Sequence, residues 1–503
     1  MQCTTVAAEQ ATPPFSLLPT DLCRRLFPLL AAVVRLIVRH RGSQWTPQSA
    51  FDFEHELSGL LRDLGRQIVE WTFNDAESAS PDLLPRQIRI GDAWYQRCHA
   101  KTANRHVATL FGVITLMRFG YRPIEELVPC VFPLEIRLGL EAARATPALA
   151  DRAGQYMAEC TQQATLKILR RDHGVGWSVH LLRKVTAAVA AGMSDHRHAA
   201  HVAKLLDLLK MAEKSRGIHR PILSVGRDGI FVPTRNGVRR AGPDYREGAV
   251  ATLSVMDRRG KRLGTVYLAR MPEEEQITLS QQLTSLITDV LKGWSGALPR
   301  LVYVTDAGYH QTRYFKRVLR QMRNPRSPGQ RLKWEWVLDY YHACQYVSKL
   351  AEALFGEGRE AQAWAAKMRR WLKEKPRGIH RVLHSAAAFR ERRGLSGLEP
   401  AYDKAYDYLR RRIRRLDYHG YRKRRMPIGS GVTEACCKTV FTQRLKQSGM
   451  SWNIESGQVI VDLRTVHLSG TWEAVRTAYL QSKADESMRT QTQARHDRAR
   501  NAA

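Results

Sequence analysis

The chain lacks paired cysteines. Its eight (Cys3, Cys23, Cys98, Cys130, Cys160, Cys344, Cys436 and Cys437) never form a CxxC, which excludes a zinc ribbon or a thioredoxin-like motif and fits reduced thiols rather than a disulfide framework. Cys98, His99 and Cys130 lack the paired spacing of a metal knuckle, so zinc is not indicated. No basic leader opens the chain, and its most apolar stretch, around Phe27 to Val38, is short and carries Arg35. The expectation is neither export nor a membrane span. Internal repeats are absent. Acid is scarce too, with 48 Asp plus Glu against 80 Lys plus Arg, a net charge of +32. Such an excess is far beyond what solubility requires and points to a polyanionic partner, the bland alternative being a generically arginine-rich protein.

What is present is a long, foldable chain. In 503 residues, 44% hydrophobic and 25% charged content is the balance of several soluble domains rather than of disorder. Residues 1–80 carry helical periodicity, as in Leu22-Cys23-x-x-Leu26-Phe27-x-x-Leu30, and form an expected N-terminal helical module. Residues 85–215 form a second region, with strands expected at Gln87–Ile90 and Ala108–Leu116 and helices from Pro133 onward. Within it, helices at Tyr156–Leu169 and Trp177–Ala191 around the turn His173-Gly174-Val175-Gly176 make a helix-turn-helix layout carrying Arg183 and Lys184. These residues fit a DNA-reading pair and an ordinary helix pair equally well.

From residue 216 the order of elements becomes informative. Strands are expected at Ile222–Asp228, Ala249–Met256 and Leu263–Ala269, then a helix at Glu275–Trp294, a strand at Leu301–Val304, a helix at Tyr309–Met322 and a strand at Lys333–Leu338. That βββαβαβ order is the core of an α/β, RNase H-like mixed sheet, with its first part at 216–342. Residues 343–426 read as a helical basic insertion, and 427–482 as the last part of the core with a helix from about Thr433. Residues 483–503 read as a disordered tail.

Phosphodiester cleavage and strand transfer need carboxylates that converge on two Mg2+ ions. On the expected fold, Asp228 ends the first strand, Asp306 ends the fourth beside it, and Glu434 opens the last helix. Each alone has an ordinary structural reading as a turn residue or a first-turn acid; it is the joint placement that favours catalysis. Between Arg410 and Arg425 stand nine Arg or Lys in sixteen residues, with Tyr418, His419 and Tyr421 interleaved, a density suited to DNA phosphates.

The segments Val304-Thr305-Asp306-Ala307-Gly308, Leu338-Asp339-Tyr340-Tyr341-His342-Ala343 and Pro427-Ile428-Gly429-Ser430-Gly431-Val432-Thr433-Glu434-Ala435-Cys436-Cys437-Lys438 resemble those of ISKra-type bacterial insertion-sequence transposases. Gln443-Arg444-Leu445-Lys446-Gln447-Ser448-Gly449-Met450-Ser451-Trp452 resembles that family's C-terminal block, and Thr109-Leu110-Phe111-Gly112 its N-terminal one. The resemblance runs from about 85 to 475. It implies a DDE transposase of the bacterial cytoplasm and nucleoid, with Asp228, Asp306 and Glu434 as catalytic residues and ligands of Mg2+, for which Mn2+ substitutes. Implied partners are double-stranded DNA, as the element's terminal inverted repeats and as target, and a second copy of the chain, as homodimer or higher assembly. Expected DNA contacts are His342, Arg183, Lys184, Arg411, Arg412, Arg415, Arg424, Arg444 and Lys446. Asp339-x-x-His342 looks like an Asp/Cys-x-x-His motif of related transposases. There His342 orients a phosphate or, alternatively, caps its strand through a hydrogen bond to Asp339. A nuclease or resolvase without strand transfer and a non-catalytic, transposase-derived DNA-binding protein are the competing readings.

Overall fold

The structure is a computed structural model that describes residues 18–124, 128–235, 244–394 and 400–485. The described residues fall into two compact units, one within 1–189 and 476–503 and the other within 190–475. Most of the expected tail, from 486 on, lies outside the described residues, whereas 483–485 are helical. No helix among the described residues is long and apolar enough to cross a membrane.

The first unit opens with α1 (Thr20–His40) and α2 (Pro47–Asp75). Thr46 starts α2 with a capping box closed by Ser49. An antiparallel sheet follows, β1 (Gln87–Ile90), β2 (Ala93–Thr109) and β3 (Gly112–Pro123), in the order β1-β2-β3. The strand expected at Ala108–Leu116 is in fact the tip of the β2–β3 hairpin. Thr109 Oγ1 accepts from Phe111 N at 3.0 Å, and Gly112 takes φ +119°, so the chain reverses where the apolar run had suggested continuity. Then come α3 (Pro133–Arg137), α4 (Pro147–Glu159), α5 (Gln162–His173) and α6 (Val179–Lys214).

The expected helix-turn-helix needs correction. Tyr156–Leu169 is not one helix, because Cys160 is extended and Thr161 caps α5 by accepting from Ala164 N at 3.1 Å. Gly174, at φ +65°, ends α5. The second helix does not stop at Ala191, since nothing between there and Lys214 breaks it, and the division between the two units falls within it.

The second unit is built on β4 (Ile222–Thr234), β5 (Asp244–Met256), β6 (Arg262–Arg270), α7 (Ile277–Gly293), β7 (Arg300–Thr305), α8 (Tyr309–Arg317), a small hairpin β8 (Arg323–Asn324) and β9 (Ser327–Arg331), and β10 (Trp334–Leu338). The mixed sheet has the order β10-β7-β4-β5-β6. Strands β4, β5 and β6 pair antiparallel, and β7 and β10 run parallel to β4. Its central strands are buried on both faces, which explains their unbroken apolar runs. Leu279, Leu283, Leu286, Ile287, Val290 and Leu291 form the buried stripe of α7 at helical spacing.

Between β10 and the end of the sheet domain the chain makes α9 (Tyr340–Phe355), α10 (Arg359–Glu374), α11 (Gly378–Arg392), α12 (Pro400–Arg410) and α13 (Tyr418–Lys423). α12 ends at Arg410 and is followed by a 3-10 turn, Ile413–Arg415, so the basic segment from Arg410 on is not one continuous helix. The chain returns with α14 (Gly431–Cys436), a π-helical turn (Cys437–Thr442), α15 (Gln443–Leu445) and α16 (Ile454–Leu468).

Candidate functional site

Asp228 does not end its strand, as its Asp-Gly context had suggested. β4 runs on through it to Thr234, because β5 pairs with it along its whole length and Asp228 sits opposite Val250. What ends is the other partnership, since β7 pairs with β4 only from Ile222 to Gly226. Asp228 therefore stands two residues beyond the point where β4 and β7 part, and Asp306 follows immediately on β7 at the same opening.

Alternation along β4 fixes the two faces. Arg227 points to one of them and donates to Ser280 Oγ at 3.0 Å and Gln276 Oε1 at 2.9 Å. Gly226 and Asp228 point to the other, where α14 lies. A methyl group on Gly226 would meet Thr433 Oγ1 at 2.0 Å, so the missing side chain is what lets α14 lie on the strand. Thr433 Oγ1 also bonds Thr252 Oγ1 on β5 at 2.9 Å. With Thr433 seated on Gly226 and Thr252, Glu434 is carried to the sheet edge beside the two aspartates.

Each carboxylate is held by one oxygen. Asp228 Oδ1 accepts from Gly229 N at 2.8 Å, Asp306 Oδ1 from Gly308 N at 3.0 Å, and Glu434 Oε1 from Ser430 Oγ at 2.8 Å. Among the described residues Asp306 Oδ2 and Glu434 Oε2 accept nothing, and Asp228 Oδ2 meets only the Cys437 thiol, at 3.6 Å. Ala307, next to Asp306, is held at φ +62°, a left-handed backbone uncommon for alanine. The Tyr408 hydroxyl donates to the Asp306 carbonyl at 3.0 Å. Burial first, and the neighbouring charges of Asp306 and Glu434 after it, push the Asp228 carboxyl up to about 6 against the hydrogen bonds from Gly229 and Cys437. Burial and the Asp228 charge push the Cys436 and Cys437 thiols up as well, so they are inert, protonated neighbours.

Three carboxylates, each with an oxygen to spare, match the hard-oxygen preference of a divalent cation such as Mg2+. Among the described residues, however, no group of three or more His, Cys, Asp or Glu is drawn together closely enough to hold a metal ion. That statement covers Cys98, His99 and Cys130 too.

Asp339 is buried at 1% exposure and caps α9. Its Oδ1 accepts from the backbone N–H of His342 at 2.6 Å, and its Oδ2 from Ser430 N and Ser430 Oγ. The bond between Asp339 and His342 thus involves the backbone, not the imidazole. That ring is half-buried and packs edge-on against Tyr346 and Tyr408, which stack on each other with centroids 3.5 Å apart.

The expected DNA contacts divide sharply. Arg183 and Lys184 are exposed on α6, Arg183 bonding Gln162 Oε1 at 2.9 Å, and Lys446 is half-exposed. Arg444 is fully buried near the Trp452 ring, which removes it from any surface a phosphate could reach. The Arg410–Arg425 cluster is not a row of bare cations either. Arg412 lies 3.8 Å over Tyr408, Arg415 lies 3.5 Å over Trp336, Arg424 pairs with Glu335 and Arg411 with Asp407 at 3.2 Å. Only Arg411 of these four is a plain solvent-exposed pair. Sequence reading passed over Gly226, Ser430, Thr433 and Cys437 as members of this site, although a glycine inside an apolar strand is itself a sign of close backbone approach.

No protein-family model matches this chain, and no curated protein matches it. Among solved structures it is similar to the Drosophila P element transposase strand transfer complex, with 12% identity and a TM-score of 0.23 over 68% of this chain and 84% of that one.

Proposed function

We propose that the chain is a DNA-processing enzyme of the DDE transposase type, on an RNase H-like core, and that Asp228, Asp306 and Glu434 are its catalytic carboxylates. The observation that carries this reading is the placement of three acids from three separate elements at the opening between β4 and β7, where Asp228 is buried with Asp306 and Glu434 as charged neighbours. Ordinary folding has no use for such an arrangement, and perturbed groups of this kind mark functional sites. The sheet order with β4 central supports it, as does the overall charge of +32, which suits a DNA substrate.

Asp228, Asp306 and Glu434, not drawn together closely enough as they stand, would have to close on the divalent cations to hold them, Mg2+ with Mn2+ as substitute. Cations held there supply Lewis-acid activation of the attacking oxygen and charge stabilisation of the leaving oxygen. The protein's own part is positioning. Ser430 occupies one oxygen of Glu434 and is held in turn by Asp339, while Tyr408 and the Gly308 amide fix the Asp306 loop from both sides. Arg183, Lys184, Lys446 and the exposed cations of 410–425 are proposed contacts to double-stranded DNA, at the element's ends and at the target, and His342 a contact near the cut. Bringing two ends together calls for a dimer or higher assembly.

The test uses the full chain and DNA carrying the element's terminal repeats. Asp228→Asn, Asp306→Asn and Glu434→Gln keep shape and remove charge, so cleavage and strand transfer should fall by orders of magnitude while binding in EDTA survives. Asp289→Asn, on α7 and bonded to His198 at 2.7 Å, should leave cleavage intact. Retention of near-normal cleavage by Glu434→Gln would transfer the third role to another acid. Activity in all three variants would end the proposal.

A further inference from the structure

The helical insertion carries arginines of two kinds. Arg390 pairs with Asp403 at 2.9 Å and Arg393 with Glu360 at 2.8 Å, which are ordinary internal ion pairs. Arg377, Arg381 and Arg392 have no carboxylate partner among the described residues. Together with His384 they line a groove of about 670 Å³ between α10 and α11, to which Trp371 and Phe389 contribute apolar walls and no acid contributes anything.

Within α11 the spacing is that of one helix face, because Arg381, His384 and Arg392 recur at intervals of three and eight residues, and Arg377 stands just before the first turn. The paired arginines of this helix lie off that stripe. Arg381 Nε is steadied by the Pro376 carbonyl at 3.3 Å, leaving its terminal nitrogens to the groove, and the Arg392 guanidinium stands 5.7 Å from the Phe389 ring. Arg377 initiates α11 from a left-handed backbone, φ +52°. Like charges along one face repel unless an anion lies between them, and here no side chain supplies it. The nearby Arg410–Arg425 segment, although denser in charge, spends much of that charge on Tyr408, Trp336, Glu335 and Asp407.

We propose that the groove between α10 and α11 binds the phosphodiester backbone of a DNA strand, with the three guanidinium groups on phosphates and the Trp371 and Phe389 walls against sugar or base. It rests on the reading of the chain as a DNA-processing enzyme for the identity of the polyanion, but not on the acid cluster.

The test is binding of a fluorescein-labelled duplex and of a labelled single strand to the full chain in EDTA, across a salt series, with Arg377→Gln, Arg381→Gln and Arg392→Gln combined. All three positions are exposed, so the fold should persist. The slope of log Kd against log salt should flatten by as much as about 0.9 per lost contact on duplex, or about 0.7 on single strand, which identifies the form bound. A control removes the same three charges from exposed, paired positions, Arg39→Gln, Lys210→Gln and Arg393→Gln, and should leave the slope near wild type. The proposal is overturned by a groove variant with wild-type affinity and slope, by a control that flattens the slope equally, or by a wild-type chain that binds neither probe. Wild-type protein that binds DNA yet cuts none in Mg2+ would instead count against the catalytic reading alone.

Discussion

At the scale of single residues, Asp228 holds a charge where the fold does not favour one. Its carboxyl is pushed from the ordinary 3.8 up to about 6, so between those values the folded chain holds a proton that the unfolded chain has released. Stability contributed at this position therefore falls as pH rises through that window, and the penalty is complete above about 6. It amounts to on the order of 2–3 kcal/mol at about 1.4 kcal/mol per pH unit. Asp228→Asn should accordingly stabilise the metal-free protein near pH 7.5 by roughly that amount, and by nothing below about pH 3.8. Denaturation in EDTA at both pH values checks this. An Asn variant no more stable at pH 7.5 would mean that the carboxylate is not strained. Added Mg2+ should raise the melting temperature of the wild type and not of the variant, since binding to the folded state alone is stabilising.

At the scale of elements, the union of α14 with β4 is the critical contact. Gly226→Ala would set a methyl against Thr433 Oγ1 and should cost about 1–3 kcal/mol, as overpacking does, with a loss of cleavage as Glu434 is displaced. Thr433→Ala removes that oxygen, so the double variant should be more stable than additivity predicts; strictly additive melting data would rule the contact out. Much of this sheet was legible in advance. β5, β6, β7 and β10 declare themselves by apolar runs bounded by turn residues, and the acids stand near the ends of those runs. The extent of β4 was not legible, because Asp228-Gly229 looks like a turn and only the β5 ladder, a pairing remote in sequence, carries the strand through it. The break at Cys160–Thr161 was hidden for the opposite reason: the apolar spacing continues across it, and the cap is a single threonine. The burial of Arg444 was not legible because charge was read without regard to the ring of Trp452, beside which an arginine can be buried.

At the scale of the whole molecule, the chain's end belongs to its beginning. Glu141 is buried at 4% exposure, and its Oε1 accepts from the Tyr479 hydroxyl at 2.6 Å and pairs with Lys483. Truncation after Val475 would remove both partners of that carboxylate, and the lost charge-assisted bonds should destabilise the first unit by about 1.5–3 kcal/mol each. A thermal melt of the truncated protein should show an early transition that the full chain lacks. Identical melting curves for the two lengths would refute the account. For the same reason a fragment of residues 85–215 is a poor test of DNA recognition, as it omits α1, α2 and the returning segment while dividing the second unit.

The bonds from Ser430 to Asp339 and from Tyr340 N to the Ile428 carbonyl, at 2.8 Å, also bring together the two points where α9–α13 leave and rejoin the sheet domain. Once such a mouth is closed, lengthening the loop behind it costs only about 0.6 kcal/mol per doubling. The mouth is thus a splice port: whole helices can be gained or lost there in evolution, or exchanged by an engineer, without moving the acids on its rim. Tyr408 and Tyr418, which reach back to the Asp306 and Leu338 carbonyls, and Arg415, which lies over the Trp336 ring, would have to be supplied again by whatever replaced them.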